Sequence, residues 1–277
     1  VDRFQVLQSI AGSKFSAQQN AGSVTPPAGF TNYLGMTVSA SYTAGATDYF
    51  LCRQPIEGYN VADLGWGTAN AKAVTLSFWV QSSLTGTFGG AFRNSAANRA
   101  YPFTYTISSA NTWTTISITI AGPTSGTWIG ATNGIGLQVF FGLGVGSTYG
   151  SGTAGAWAGS LTFVPTGSVS VIGTNGATFY ITGVQLEQGP VATSFDYRHY
   201  GQELALCQRY FVALGSQGDS FLGSGFGSGG TAVYANGPFP VTMRASPTLS
   251  YQGTLANTVT TTAGVGGTIA SITNAGN

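Results

Sequence analysis

Charge is what this sequence has least of. Asp, Glu, Lys and Arg make up 6% of its 277 residues, against roughly a quarter in ordinary soluble domains. From Ala100 to Leu186 there is none. The formal net charge is +1. The basic residues (Arg3, Lys14, Arg53, Lys72, Arg93, Arg99, Arg198, Arg209 and Arg244) are scattered along the chain. There is neither a long-range field nor the basic cluster that phosphate neutralisation needs, which argues against nucleic acid as a partner. Histidine occurs once, as His199, so a multi-histidine zinc site is excluded and a histidine-based triad has a single residue to rest on. Cys52 and Cys207 are the only cysteines. Both lie among apolar residues and read as free buried thiols rather than a disulfide framework. No run approaches the roughly 18 apolar residues of a membrane helix, so no membrane insertion is expected. The chain shows no signal peptide, opens on Val1 rather than Met and ends abruptly on "SITNAGN", which leaves open whether it is a fragment of a longer protein.

What is present is glycine, 42 residues of it, and a hydrophobic content of 43%, enough for a packed core. The apolar residues recur with period two, as in strands. Over residues 73–83, Val74, Leu76, Phe78 and Val80 point one way and Thr75, Ser77, Trp79 and Gln81 the other. Residues 114–122, 134–142 and the shorter 168–173 alternate similarly. Clusters such as "GTFGG", "SSANT", "GPTSGT", "ATNG" and "GTNGA" read as the turns between strands. Together these predict two sheets packed face to face. Over residues 177–187 the apolar parity jumps at Thr182 and Gly183, which predicts a β-bulge at Gly183. One modest helix is expected in "GQELALCQRY", with Leu204, Cys207 and Phe211 on a shared face. Beyond Phe211, residues 215–230 read as a glycine-rich loop. The strand-like pieces after it are too thin for an independent core, which suggests a trimer that completes it.

Catalytic motifs are weak. Gly225, Gly227 and Gly230 match G-x-G-x-x-G without a strand–helix context. Asp196 with Glu203, or Glu57 with Asp63, could be nominated as glycosidase carboxylates, but Arg198 and Arg209 beside the first pair favour structural ion pairs. Cys207 with His199 is disfavoured as a nucleophile pair by its apolar surroundings. No Asp-rich loop supports a structural calcium ion, and no cofactor is expected. The tryptophans are more informative. Trp79 and Trp113 fall on the polar parity of their strands, and Trp66 sits in "DLGWGTAN". Aromatics beside amides and hydroxyls are what neutral sugar binding uses, so Trp66, Trp79 and Trp113 are the candidate carbohydrate-binding residues. The opposing reading is that they pack under loops.

"FYITGVQLEQGPVATSFDYRHYGQELALCQRYF" gathers Glu187, Asp196, Arg198, His199, Glu203 and Arg209 after the long uncharged stretch. It resembles a segment of bacteriophage virion structural proteins, especially tail-fibre and tail-associated ones. "RFQVLQSIAGSKFSAQQN", "CRQPIEGYNVADLGWGTANAKAVTLSFWVQSSLTGTFGGAFRNS" and "AYPFTYTISSANTWTTISITI" resemble the same family, so the likeness covers about residues 1–211. "PFPVTMRASPTLSY" is similar to a segment in the C-terminal regions of such fibres. The resemblance implies a carbohydrate-binding-module-like jelly roll in a non-enzymatic virion component and supplies no catalytic residues.

The expected fold class is therefore all-β. A jelly-roll β-sandwich over 1–200 is followed by a connector over 201–211 and a small C-terminal β domain over 212–277, assembled as a homotrimeric fibre. The expected role is a tail-fibre subunit on the virion, with other virion proteins and a host cell-surface glycan as partners. A capsid decoration or head-fibre protein is the alternative, and a polysaccharide depolymerase the third reading. Asp196, Arg198, Glu203 and Arg209 are expected to lock the domain junction through directional ion pairs. Tyr197 and Tyr200 are available to cover the sandwich edge.

Overall fold

The alternation that opens at Val74 shows why this chain forms sheets. In a computed structural model of the protein, which describes residues 3–159, 161–213, 224–228, 232–236 and 239–248, the side chains of Val74, Leu76, Phe78 and Val80 are all buried. Ser77 and Trp79, on the other parity, are only partly so. The first ten strands are β1 (Gln5–Gln8), β2 (Phe15–Gln19), β3 (Leu34–Val38), β4 (Tyr49–Glu57), β5 (Val74–Ser82), β6 (Gly86–Arg93), β7 (Ala100–Ile107), β8 (Thr114–Ile120), β9 (Ile135–Val145) and β10 (Thr178–Gln188).

They form two antiparallel five-stranded sheets. Sheet 1 has the order β1-β4-β9-β6-β7 and sheet 2 the order β2-β3-β10-β5-β8. Counting β3 to β10 as first to eighth, the four of them in sheet 2 run first, eighth, third, sixth, and the four in sheet 1 run second, seventh, fourth, fifth. That is the double Greek key of a jelly roll, with β1 and β2 added at the edges. Between the sheets lies one core built on Phe50, Phe78, Phe88, Phe92, Phe103, Phe141 and Phe179. Each such ring, fully buried, contributes about 1.5–3 kcal/mol.

β9 is buried on both faces, unlike an ordinary half-solvated antiparallel strand. Leu137, Val139 and Phe141 enter the main core. Phe140 joins Leu51, Phe163 and Val164 in a second cluster on the outer face of sheet 1. The chain after β9 returns over that face, bridging Gly152 to Pro165 and Ala158 to Ala100.

Three local expectations change. "GTFGG" is not a turn but the start of β6. A Cβ on Gly90 would run into the Phe103 ring and the Phe140 carbonyl oxygen, so glycine here allows close packing rather than a bend. Residues 168–173 are not a strand. Val171 and Ile172 are adjacent and both buried, which a strand cannot arrange on one face, and a 3₁₀ turn over Val171–Gly173 does. Within 215–230, Ser224–Ser228 forms β11, paired antiparallel with β12 (Ala232–Asn236). Gly225 and Gly227 are therefore in a strand, not a phosphate-binding loop, while Gly230 lies outside the described residues. The expected bulge is present. β10 pairs with β5 up to Thr182↔Trp79 and resumes at Gln185↔Ser77, with Gly183 at φ 58°.

The chain divides into two compact units, 1–197 and 198–277. The second contains α1 (Tyr200–Gln208) as well as β11 and β12. The His199 carbonyl accepts from the Gln202 and Glu203 N–H groups, and Glu203 in the first turn complements the helix dipole. The shared apolar face does not form a buried stripe. Leu204 is 40% and Phe211 75% exposed. The expected thin core beyond residue 248 lies outside the described residues. Among the described residues no helix is long and apolar enough to cross a membrane.

Candidate functional site

The polar parity of β5 builds the outer face of sheet 2. Register places Trp79 between Thr115 of β8 and Thr182 of β10, and Ser77 between Ser117 and Gln185. Thr75 pairs with Thr119 and Glu187 in the next row. The bulge makes this composition. Without the extra residue at Gly183 and Val184, Val184 rather than Gln185 would oppose Ser77 and the face would turn apolar.

One end of the face is closed by the segment after β10. Thr75 Oγ1 donates to the Gly189 carbonyl at 2.7 Å and Thr119 Oγ1 to the Pro190 carbonyl at 2.8 Å. The Gln185 amide accepts from the Asp196 N–H at 2.7 Å and donates to the Ser194 carbonyl at 3.3 Å. Burial pushes the Glu187 carboxyl up, but bonds from the Thr193 hydroxyl, from Gln185 and from the Thr193 N–H outweigh it and hold it below its ordinary value. Phe195, Tyr197 and Phe30 pack with ring centroids 5.0 to 5.8 Å apart. Phe30 occupies the space a Cβ on Gly183 would need. Of the two tyrosines expected at the sandwich edge, Tyr197 packs on Phe30 and Phe195 yet stays 62% exposed, and Tyr200 is 80% exposed.

The five tryptophans separate cleanly by what their indoles touch. Trp66 is buried, donates to the Lys72 carbonyl at 2.8 Å and packs edge-on against Trp128 and Trp157. It has no face to offer a ligand, which removes it from the expected trio of carbohydrate-binding residues. Trp128 donates to Ser125 and Trp157 to Ala121. Trp113 donates to the Thr25 carbonyl at 2.9 Å and sits edge-on against Tyr33, pinning the 20–33 segment to the sheet. Trp79, half-buried, makes no indole hydrogen bond and no ring contact with any described residue. Parity in the sequence separates Trp79 from the core. The closure of Trp66 by Trp128 and Trp157 is a tertiary fact, with those two residues 62 and 91 positions downstream.

Of the charged residues expected at the junction, Arg198 bonds Glu203 through Nη1 and Oε2 at 3.3 Å, within the second unit. Arg209 Nη1 donates to the Thr242 carbonyl at 3.2 Å and the Arg244 N–H to the Arg209 carbonyl at 2.9 Å, again within it. Asp196 belongs to the first unit, its N–H on Gln185. His199 is exposed, and Cys207 is a half-buried thiol outside any disulfide. Cys52, also free, is wholly buried in the sandwich core, and burial pushes its thiol up to about 12, far from nucleophilic. Glu57 is buried and Asp63 exposed on a 3₁₀ turn. Among the described residues no three of His, Cys, Asp or Glu are grouped to hold a metal ion.

Fold and face together define a jelly-roll β-sandwich with Trp79 among neutral polar side chains on the outer face of one sheet. No family model matches the sequence, and no curated protein matches it either. Among solved structures, the chain is similar to the enzymatically active domain of bacteriophage CBA120 tailspike protein 4, at 12% identity and TM-score 0.38, over 67% of this chain and 19% of that one. It is similar to a family 11 carbohydrate-binding module of a Clostridium thermocellum cellulosomal cellulase, at 14% identity and TM-score 0.33, covering 68% and 89% of the two chains. It is also similar to a putative sugar-binding protein of Bacteroides thetaiotaomicron, at 10% identity and TM-score 0.38, over 67% and 87%.

Proposed function

We propose that this chain is a non-catalytic, glycan-binding subunit of a bacteriophage fibre, with the outer face of sheet 2 as the binding surface. The observation that carries the binding reading is Trp79. It is the tryptophan whose ring and N–H no described residue uses, and it is flanked by Thr115, Thr182, Ser77 and Gln185. A ring face for stacking with the unused Thr115 and Ser77 hydroxyls at its margin is suited to a neutral sugar. The rows of Trp79 and Ser77 carry no charged side chain, and the Glu187 carboxylate in the row beyond is bonded to Thr193, which fits a ligand without charge. The fibre context rests on the family-like segments over residues 1–211, and with it come attachment to a host-surface glycan, assembly as a homotrimer and a place on the tail of the virion.

A glycan array with the intact chain tests the binding face. Trp79→Ala should lose binding, while Trp113→Ala should weaken it only by loosening the 20–33 segment. Unchanged binding by the Trp79 variant would remove the face. Location on the particle is a separate measurement. Antibody labelling of tails supports the fibre reading, and labelling of heads alone replaces it with a capsid decoration role. Release of reducing ends from host polysaccharide would replace both with a depolymerase.

A further inference from the structure

The outer face of sheet 1 holds a charge that no described residue neutralises. Arg93 ends β6 and is 9% exposed. Its guanidinium lies 4.8 Å from the Phe140 ring centroid and 4.9 Å from that of Phe163. It makes no ion pair or hydrogen bond with any described residue, and its Nε is wholly buried without a partner. Arg53, on β4, faces the same way. Its Nε donates to Gln5 Oε1 at 2.9 Å and its Nη1 to Gln138 Oε1 at 2.8 Å. Register sets Gln138 opposite Arg93. Four neighbouring strands thus carry Gln5, Arg53, Gln138 and Arg93 on one face, the Gln5–Arg53 pair level with Phe140 and the Gln138–Arg93 pair two residues along, so that two amides and two guanidinium groups lie on a diagonal.

An unpaired cation in such a place is costly, and two like charges beside each other raise the cost. Burial, then Arg53, pull the Arg93 guanidinium down to about 10. Ring contacts offset part of this and fix the plane of the guanidinium. Arg53 is partly exposed and marks the approach from solvent. A held, planar fork with unused donors is matched by a carboxylate, which accepts two parallel bonds from it.

We propose that Arg93 and Arg53 form a carboxylate-binding site on the sheet opposite Trp79, and that it takes an acidic sugar of the uronate type. The site is independent of the neutral face. An acidic sugar on one side and a neutral one on the other would let a single domain engage a mixed polysaccharide.

The test uses the whole chain with glucuronate, glucose and inorganic phosphate, followed by arginine side-chain N–H signals in NMR and by the thermal midpoint. Glucuronate should shift the Nε–H signals of Arg93 and Arg53 and raise the midpoint, and glucose should do neither. Added salt should weaken the effect. Arg53→Gln should weaken glucuronate binding about tenfold, the loss of one charge-assisted bond. Arg93→Met, which keeps the packing of the stem, should abolish it. If that variant does not fold, Arg53→Gln carries the comparison. Trp79→Ala should leave glucuronate binding intact, so the two sites can fail separately. The proposal is overturned if glucuronate moves neither signal, if glucose matches it, if phosphate binds more tightly, or if Arg53→Gln binds as wild type.

Discussion

Gly183 is the residue on which the candidate face depends. Its φ of 58° is one that side chains rarely adopt, and a Cβ would lie 2.6 Å from the Phe30 ring. Gly183→Ala should therefore lower stability by about 1–3 kcal/mol and loosen the contact between Phe30 and the segment after β10. Denaturant unfolding, with Gly130→Ala, in open space and without a positive φ, as the comparison, checks this. Asp48 sets the acid limit at another turn. The Gly45 N–H, the Tyr42 hydroxyl and the Ser9 hydroxyl all donate to it and hold its carboxyl below the ordinary range. Its folded pKa is depressed, so the stability it contributes is present above its unfolded value near 3.9, about that of a free aspartate. That stability is lost as pH falls through the lowered one. Asp48→Asn should flatten this part of the stability–pH curve, as thermal midpoints taken from mildly acidic to strongly acidic pH would record.

At the scale of elements, β9 and β10 do different work at the centres of the two sheets. β9 is buried on both faces, so substitutions there act on stability. Phe140→Ala removes a ring packed on Phe163 at 5.0 Å and also strips Arg93 of one of its two rings. A loss of about 3–5 kcal/mol is expected from the cavity alone, measured by chemical denaturation. β10 is buried at Phe179–Ile181 and after its bulge packs only a half-buried Val184 and Leu186 against the core, while its other face borders Trp79. Thr115→Val and Ser77→Ala, on β8 and β5 beside the same ring and with hydroxyls that no described residue uses, should therefore reduce glycan retention while leaving the thermal midpoint nearly unchanged. The period-two pattern makes β5, β8, β9 and β10 legible in the sequence. It hides β6, where three glycines in an eight-residue strand imitate a turn. It also mistakes Val171 and Ile172 for strand, because adjacent apolar residues at a sheet end satisfy the same composition.

For the whole molecule, residues 1–197 enclose the main core and should fold without residues 198–277. A fragment ending at Tyr197 is expected to unfold cooperatively with a midpoint within a few degrees of the first transition of the full chain, as calorimetry would show. The intact chain is expected to sediment as a trimer, and a stable monomer at micromolar concentration would refute the assembly. Low charge has a consequence at this scale as well. Binding through Trp79 should be nearly independent of salt, whereas binding at Arg93 should not.

The sequence alone determined the class of fold, because period-two burial admits only a sheet with one face on a core, and parity alone located the bulge at Gly183. It also separated Trp79 from the core side of its strand. Tertiary structure decided what parity cannot reach. Trp66 is closed off by Trp128 and Trp157 from distant loops. Arg53 and Arg93, forty positions apart and scattered to the eye, share one sheet face only because β9 lies between their strands. Strand order in a jelly roll is set by how two sheets close over one core, a long-range condition that no local run of residues encodes.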